Sequence, residues 1–351
     1  MQKRILVGAL NWGLGHATRS IPIIRALQEA GTEVFLASDG QAAQLWEAEF
    51  PELPLAILPG YNIRYPSGNL SWHLGTQVPK IAMAIRKEKV EAQKLVAQWN
   101  IQGIISDHRY GFQHTGIPSA LVCHQMQILA PNALSGWLIN RAHRSLLHPF
   151  DFHWVPDHPE SPGMAGQLSH GYPTKQMRFI GPLSRLHKKP ASIKWDYLVV
   201  LSGPEPQRSI LESLILEQTP AIRGSWLIVG GTPDTTKNIA HSTITYKNFL
   251  TTIELEEALN AANIVVCRSG YSSIMDLMKL EKRALLIPTP GQTEQEYLAE
   301  LHRGTGLFSV AQQSGLRLGQ ALRELNPEKG ETPKKENDLL SAAIRDFLDH
   351  C

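Results

Sequence analysis

Ala261-Ala262-Asn263-Ile264-Val265-Val266-Cys267-Arg268-Ser269-Gly270-Tyr271-Ser272-Ser273 reads as a strand, a turn and the start of a helix. Ile264 to Cys267 is a short apolar run of the kind buried on both faces of a parallel sheet. Arg268 to Gly270 interrupts it, and Ser272 to Leu280 takes up helical spacing. Serines and a glycine at a helix N-terminus can cradle a phosphate. Asp276, about one turn into that helix, can accept both hydroxyls of a ribose. The neighbouring units follow the same plan. Phe249-Leu250 precede a helix over Glu254 to Ala261, and a strand over Ala284 to Ile287 ends in Pro288-Thr289-Pro290-Gly291. Gln295-Glu296 then open a helix over Glu294 to Arg303, offering an amide and a carboxylate to sugar hydroxyls. Each feature alone is an ordinary helix cap. Together, in this order, they describe a nucleotide-sugar site.

The alternation extends in both directions. Upstream lie strands over Tyr197 to Leu201 and Ser225 to Val229, a helix over Ser209 to Glu217, and a short strand near Thr243 to Tyr246. The first half repeats the pattern: strands at Arg4 to Ala9, Glu33 to Ala37, Leu55 to Leu58, Gly103 to Ser106 and Ser119 to Cys123. Between them fall helices at Ile21 to Ala30, Gln41 to Glu49 and Gln77 to Gln98. Strands alternating with helices predict βαβ units and parallel sheets. The fold class is therefore α/β: two Rossmann-like, doubly wound domains facing across a cleft, with ligands beyond the carboxyl ends of the strands. The proline-rich stretch 156–192 marks the boundary. Expected divisions are 1–170, a linker over 171–194, a second domain over 195–335, and a terminal helix over 336–351 that packs back on the first domain. Residues 60–75, with Tyr61, Tyr65, Pro66, Trp72 and His73, show no period and are expected to form a functional loop.

Composition excludes several classes. The 351 residues carry 34 Lys and Arg against 32 Asp and Glu, a net +2, and no basic arm, so nucleic acid is not an expected partner. Three widely spaced cysteines, Cys123, Cys267 and Cys351, form neither a disulfide framework nor a zinc pattern and fit a reducing compartment. The apolar run Ile5 to Leu10 is too short for a signal peptide. No stretch approaches the roughly 20 apolar residues of a membrane span. The expected location is cytoplasmic.

Three further loops carry chemistry. Asn11-Trp12-Gly13-Leu14-Gly15-His16-Ala17-Thr18-Arg19 joins the first strand to the first helix, and His16 is a candidate general base or hydrogen-bond donor. Gly13-x-Gly15, with Asp39 ending the second strand, also admits a dinucleotide site, although Thr18 stands at the third glycine position. Ser106-Asp107-His108-Arg109 and Cys123-His124-Gln125 follow two more strands, so Asp107, His108, His124 and His16 can converge. A metal site would need ligands from three separate loops, and none is expected. Leu201-Ser202-Gly203-Pro204-Glu205-Pro206 echoes the first glycine loop but is stiffened by its prolines.

Residues 243–301 resemble the donor-binding half of the family 28 glycosyltransferases, and Ala261 to Gly270 is nearly that family's own string. Gly13-x-Gly15-His16 resembles the family's N-terminal loop, and His124-Gln125 sits where the family has a His-Glu pair. The chain is also similar to glycosyltransferase-like proteins that open with a Trp-Gly-Leu-Gly-His loop. The resemblance implies the GT-B fold and site residues as follows. Arg185 would meet the donor diphosphate, Phe249 and Leu250 would flank uracil, and Asp276 would hold the ribose. Ser269, Gly270 and the Ser272 amide would lie by the phosphates, as would Ser202 and Gly203. Gln295 and Glu296 would read the sugar. His16, Gly13, Gly15 and Thr18 would sit by the acceptor, with His124 and Gln125 nearby. Three departures, at Pro204, Gln125 and Glu296, separate the chain from the family pattern.

The expected reaction is inverting, metal-independent transfer from a UDP-sugar to a glycan or lipid-linked acceptor, with no cofactor. His16 or Asp107 would be the base, and Arg185, Arg268 or Arg208 would steady the leaving diphosphate. A nucleotide-sugar hydrolase and a non-catalytic nucleotide-sugar sensor are the alternatives. Residues 134–150, with Trp137, Leu138, Arg141 and Arg144, read either as a membrane-surface helix or as a core-facing helix with a basic edge. The first would place the protein peripherally at the inner face of the membrane.

Overall fold

In the computed structural model of the chain, the described residues are 2–61, 70–130, 132–232, 241–304, 306–325 and 338–351, with backbone alone for 70–78. They form two compact units. One comprises 2–61, 71–185 and 338–351, and the other starts at Leu186.

The first unit runs β1 (Arg4–Ala9), α1 (Gly15–Glu29), β2 (Glu33–Ser38), α2 (Gly40–Glu49), β3 (Leu55–Ile57) and α3 (Leu70–Trp99). It continues with β4 (Gly103–Asp107), β5 (Ser119–Val122), α4 (Ala133–Leu147), β6 (Phe152–Val155), α5 (Gln167–His170) and β7 (Met177–Phe179). The second unit contains β8 (Trp195–Val200), α6 (Gln207–Gln218), β9 (Trp226–Val229), β10 (Ile244–Lys247), α7 (Thr252–Asn260) and β11 (Ala262–Cys267). After these come α8 (Tyr271–Lys279), β12 (Arg283–Leu286), α9 (Thr293–Leu301), β13 (Phe308–Val310) and α10 (Leu318–Arg323). The last helix, α11 (Leu339–Asp349), belongs to the first unit.

Both sheets are wholly parallel, ordered β3-β2-β1-β4-β5-β6-β7 and β10-β9-β8-β11-β12-β13. The central strands β1, β4 and β11 are mostly apolar and almost entirely buried, Arg4 and Asn263 excepted, because helices cover both faces. Strand order reverses between β1 and β4 in one sheet and between β8 and β11 in the other. At these points connections leave in opposite directions and open a crevice at the carboxyl ends. Ala9 lies beside Asp107 in the first, and Val200 beside Cys267 in the second.

Two expectations change. The stretch 171–194 is not linker throughout: β7 pairs with β6 and completes the first sheet, and the units divide between Arg185 and Leu186. Its prolines and short length hid the strand. Helix α3 begins at Leu70 rather than Gln77, and half of the loop expected over 60–75 lies outside the described residues, as does the polar stretch 326–337. Among the described residues, no helix is long and apolar enough to cross a membrane.

Candidate functional site

At the first reversal, the chain leaves β1, turns through Asn11 to Leu14 and enters α1 at Gly15. Gly13 holds φ +72°, a left-handed conformation that favours glycine. Thr18 is partly buried, and its hydroxyl donates to the Gly15 carbonyl at 3.1 Å. His16, Arg19 and Ser20 are three and four residues apart, hence on one face of α1. That face meets the end of β4. Arg19 Nε donates to Asp107 Oδ2 at 2.6 Å, and its Nη2 donates to Oδ1 of the same carboxylate. His16 Nδ1 lies 2.8 Å from Asp107 Oδ1, and Ser20 Oγ donates to Oδ2 at 3.2 Å. Asp107 and Arg19 are essentially buried, whereas the His16 ring keeps 15% exposure.

This core has a second layer. Arg19 Nη2 is 2.9 Å from Nδ1 of His16 and 2.9 Å from Nδ1 of His108, while Nη1 is 3.3 Å from His124 Nδ1. His108 Nε2 lies 3.4 Å from Cys123 Sγ, which is 3.4 Å from the Gln125 carbonyl. His108 sits at φ +56°, a strained conformation for a residue with a Cβ. This kink aims Asp107 at the histidines. Next in sequence, Arg109 faces another cluster, donating to Ala9 O at 2.7 Å, to Glu88 Oε1 at 2.7 Å and to Asp39 Oδ1. Tyr61 Oη donates to Glu88 Oε2 at 2.7 Å. Asp39 is thus the ion-pair partner of Arg109, which removes it as a ribose acid.

The charges follow from these contacts. Burial and the Arg19 cation together push His16 down to about 3 and outweigh Asp107, so the imidazole is neutral. Burial alone would raise Asp107, but Arg19 and His16 hold its carboxyl well below the usual range. Burial also opposes charge on His108 and Cys123. Their mutual attraction prevails, drawing the thiol well down and raising His108 to about 9. His16, Asp107 and His108 come close enough to hold a metal ion. The Arg19 guanidinium already donates to both Asp107 oxygens and lies 2.9 Å from Nδ1 of both histidines, so a cation stands where a metal would.

At the second reversal, Ser202 and Gly203 are exposed after β8, with Gly203 at φ +101°. Helix α8 opens on Gly270 without a side-chain cap, so its first amides have no intrahelical acceptor. Ser272 is partly exposed there. Asp276 is also partly exposed but lies in the second turn, deeper than expected. Phe249 is 46% exposed and Leu250 is buried. Arg185 is partly exposed at the last position of the first unit.

Several expected ligand contacts prove to be internal. Arg268 is 1% exposed; it donates to the carbonyls of Ile287, Pro288 and Gln207 and to Gln313 Oε1, at 3.2, 3.2, 2.8 and 2.7 Å. Arg208 is held by Glu205, Glu212, Ser209 and the Gly230 carbonyl. Both arginines knit the loops together and are not poised for a diphosphate. Ser269 Oγ donates to the Gln295 carbonyl at 2.8 Å, and Gln295 Oε1 accepts from the Thr289 amide at 2.9 Å. Glu296 is exposed and accepts from the Gly291 amide at 2.9 Å. Gln125 is partly exposed and His124 is buried against Arg19.

Arg19 and Ser20 were not singled out by sequence. The available signal was their helical spacing from His16. Arginine is seldom fully buried, so nothing in composition marked it.

Residues 200–349 match the glycosyltransferase family 28 C-terminal domain. Over 345 residues, 94% of this chain and 90% of the relative, the chain is 21% identical to a Pasteurella multocida (strain Pm70) protein. That protein is a UDP-N-acetylglucosamine–N-acetylmuramyl-(pentapeptide) pyrophosphoryl-undecaprenol N-acetylglucosamine transferase. The Myxococcus xanthus (strain DK1622) enzyme of the same name is 30% identical over 107 residues, 28% of each chain. Among solved structures, the glycotransferase of kitacinnamycin aligns with a TM-score of 0.66 at 16% identity, covering 99% of this chain and 95% of that one. The Acinetobacter baumannii MurG aligns at 0.58 and 13%, covering 99% of both. These likenesses establish the GT-B fold.

Proposed function

We propose that the chain, whose residues 200–349 match the glycosyltransferase family 28 C-terminal domain, moves a sugar from a UDP-sugar to an acceptor hydroxyl with inversion and without a metal. The observation that carries this reading is the His16–Asp107 pair at the first strand-order reversal. A carboxylate on Nδ1 orients the ring and stabilises the imidazolium formed when Nε2 takes a proton. In the proposed step the acceptor oxygen attacks the anomeric carbon as the bond to the UDP oxygen breaks. The acceptor proton passes to His16 Nε2, and UDP leaves as the anion. Arg19 supplies the fixed positive charge that a metal would otherwise bring to this cluster.

In the second unit, the α8 amides after Gly270 and the exposed Ser202–Gly203 backbone suit the diphosphate. Exposed Phe249 suits the base, and Asp276 the ribose. Arg185, partly exposed, suits the leaving group, whereas Arg208 and Arg268 are held by the loops around them. The names of the Pasteurella and Myxococcus relatives carry a lipid-linked acceptor, and we extend that class to this chain. Support comes from α4, where Leu134, Trp137 and Leu138 are 72, 59 and 54% exposed. Arg141 stands over the Trp137 ring at 5.8 Å. An exposed apolar face edged by arginines suits a peripheral contact with an anionic membrane.

Incubation with a UDP-sugar panel, with and without polyprenyl-diphosphate glycan acceptors, tests the reading. Acceptor-dependent UDP release is expected, and His16→Ala should lower kcat by about 100-fold or more while UDP binding persists. Release at full rate without acceptor would replace transfer by hydrolysis.

A further inference from the structure

Arg19 has too few hydrogens for the groups around it. Its Nε and one Nη2 hydrogen are used by the two oxygens of Asp107. A guanidinium nitrogen Nη2 carries two hydrogens and never accepts, so one remains. Two imidazole nitrogens compete for it: Nδ1 of His16 and Nδ1 of His108, each at 2.9 Å. Whichever ring loses must turn its own Nδ1–H outward, and each has an acceptor waiting. For His16 this is Asp107 Oδ1 at 2.8 Å, and for His108 it is the Val122 carbonyl at 3.1 Å.

We infer that His108 is a positioning residue that sets the tautomer of His16 through this single hydrogen of Arg19. The inference rests on the base role proposed for His16. When neutral His108 accepts from Arg19, its proton is on Nε2, directed at Cys123 Sγ, and the thiol donates to the Gln125 carbonyl. His16 then donates from Nδ1 to Asp107, and its Nε2 presents a lone pair to the acceptor. When the Cys123 proton moves to His108, the ring becomes an imidazolium and the sulfur a thiolate. His108 Nδ1–H then turns to Val122, Arg19 donates to His16 Nδ1, and His16 carries its proton on Nε2. In that state it donates a hydrogen bond and takes no proton.

The groups facing His108 are Arg19 and His16 from α1, Asp107 and Tyr110 from β4 and the residues after it, and Cys123 and His124 following β5. His143 of α4 meets the same cluster at Tyr110, 3.0 Å away, and at the Cys123 sulfur, where it helps His108 hold the thiolate. Among them Cys123 is in direct contact with Nε2 and sets how readily His108 charges. The elevated value of His108 agrees: its imidazolium is held by the sulfur and by Asp107 against the cost of burial.

The test combines two readouts on the full-length protein. The first is ¹⁵N NMR of histidine-labelled protein, with the His16 signals assigned by their loss in His16→Gln. The second is kcat and KM against pH. His108→Asn offers an amide oxygen near the Nδ1 position, and asparagine tolerates the left-handed backbone. It should keep His16 unprotonated at Nε2 and retain kcat within a few-fold. His108→Leu leaves the hydrogen to His16 alone. It should fix the proton on Nε2 at every pH, so that the roughly 100-fold rise of kcat expected in the wild-type protein as His108 discharges near pH 9 is lost at unchanged donor KM. Cys123→Ser leaves the backbone at His108 untouched and removes the thiolate. It should move both the His16 tautomer transition and the acidic limb of kcat down by about one pH unit or more. An unchanged His16 tautomer in His108→Leu and Cys123→Ser overturns the inference. If the wild-type protein transfers no sugar, the proposed function fails, and the NMR readout still decides the coupling.

Discussion

Arg109 holds two carboxylates on one guanidinium, the buried Glu88 and the partly exposed Asp39. Glu88 and Arg109 are fully buried, and burial raises the Glu88 carboxyl despite its cationic partner. Removing one member of such a group leaves an uncompensated charge, which typically costs about 3–5 kcal/mol. Arg109→Met should therefore lower unfolding stability by about that amount in urea titrations, with an unchanged m-value. Replacing Arg109 and Glu88 together by Met and Leu should recover much of the loss. His16 contributes with the opposite pH sign to a surface histidine. Its folded value of about 3 lies below the ordinary 6.5, so protons favour the unfolded chain. The contribution is whole above pH 6.5 and is lost as pH falls from there towards 3. At about 1.4 kcal/mol per unit it reaches on the order of 5 kcal/mol. Calorimetry between pH 7 and 4 should show Tm falling, and His16→Gln should flatten that slope.

Among the elements, α4 makes the boldest surface. Its buried side is unusual for a helix of this composition: Asn140, His143 and Leu147 face inward while Leu134, Trp137, Leu138 and Ile139 face out. Asn140 is drawn in by the Ile128 backbone, which it meets at both its carbonyl and its amide, each at 2.8 Å. His143 is drawn in by Tyr110. These polar anchors turn the apolar residues outward. Trp137→Glu with Leu138→Glu should leave stability unchanged within about 0.5 kcal/mol, since both side chains are more than half exposed. The same pair should abolish sedimentation with vesicles of anionic phospholipid at low salt. Unchanged sedimentation would remove the membrane contact. The outward face also shows what sequence could and could not carry. The period of residues 134–150 revealed an amphipathic helix, but the choice of inward face was made by Asn140 and His143, whose partners lie elsewhere in the chain. Strands such as β1, β4 and β11 were legible because burial on both faces demands continuous apolar runs. Strands β6, β7 and β13 are short and interrupted by His153, Arg178 and Ser309, and left no such trace. At the site, glycine and histidine types pointed to the loops in which His16, Asp107 and His108 meet. The burial of Arg268, Ser269 and Gln295 depends on neighbouring loops and could not be read from their own positions.

At the scale of the whole molecule, the first unit is closed by residues that the chain supplies only after the second unit is complete. Helix α11 places Phe347, fully buried, against Phe152 and Trp154 of β6, with ring centroids 5.7 Å apart in both pairs. Gly103 in β4 lies under the same helix: a Cβ there would come within 2.6 Å of Cys351 Sγ and 2.8 Å of the Phe347 ring. Lys3 donates to the Leu348 carbonyl, and Arg178 pairs with Asp346 at 3.0 Å, tying both termini of the unit to this helix. A cut between Arg185 and Leu186 therefore does not yield two self-sufficient halves. Residues 1–185 alone would expose Phe152 and Trp154 on a sheet face, and large apolar residues stripped of cover on a sheet invite aggregation. The fragment should lack a cooperative thermal transition. A synthetic peptide of residues 338–351 added in excess should restore the transition, with a midpoint that rises with peptide concentration. Phe347→Ala in the intact chain should cost about 3–5 kcal/mol, and the same change in the peptide should weaken its rescue by a comparable free energy. A fragment that melts cooperatively without the peptide would show that the first sheet is stable on its own, and that α11 merely rests on it.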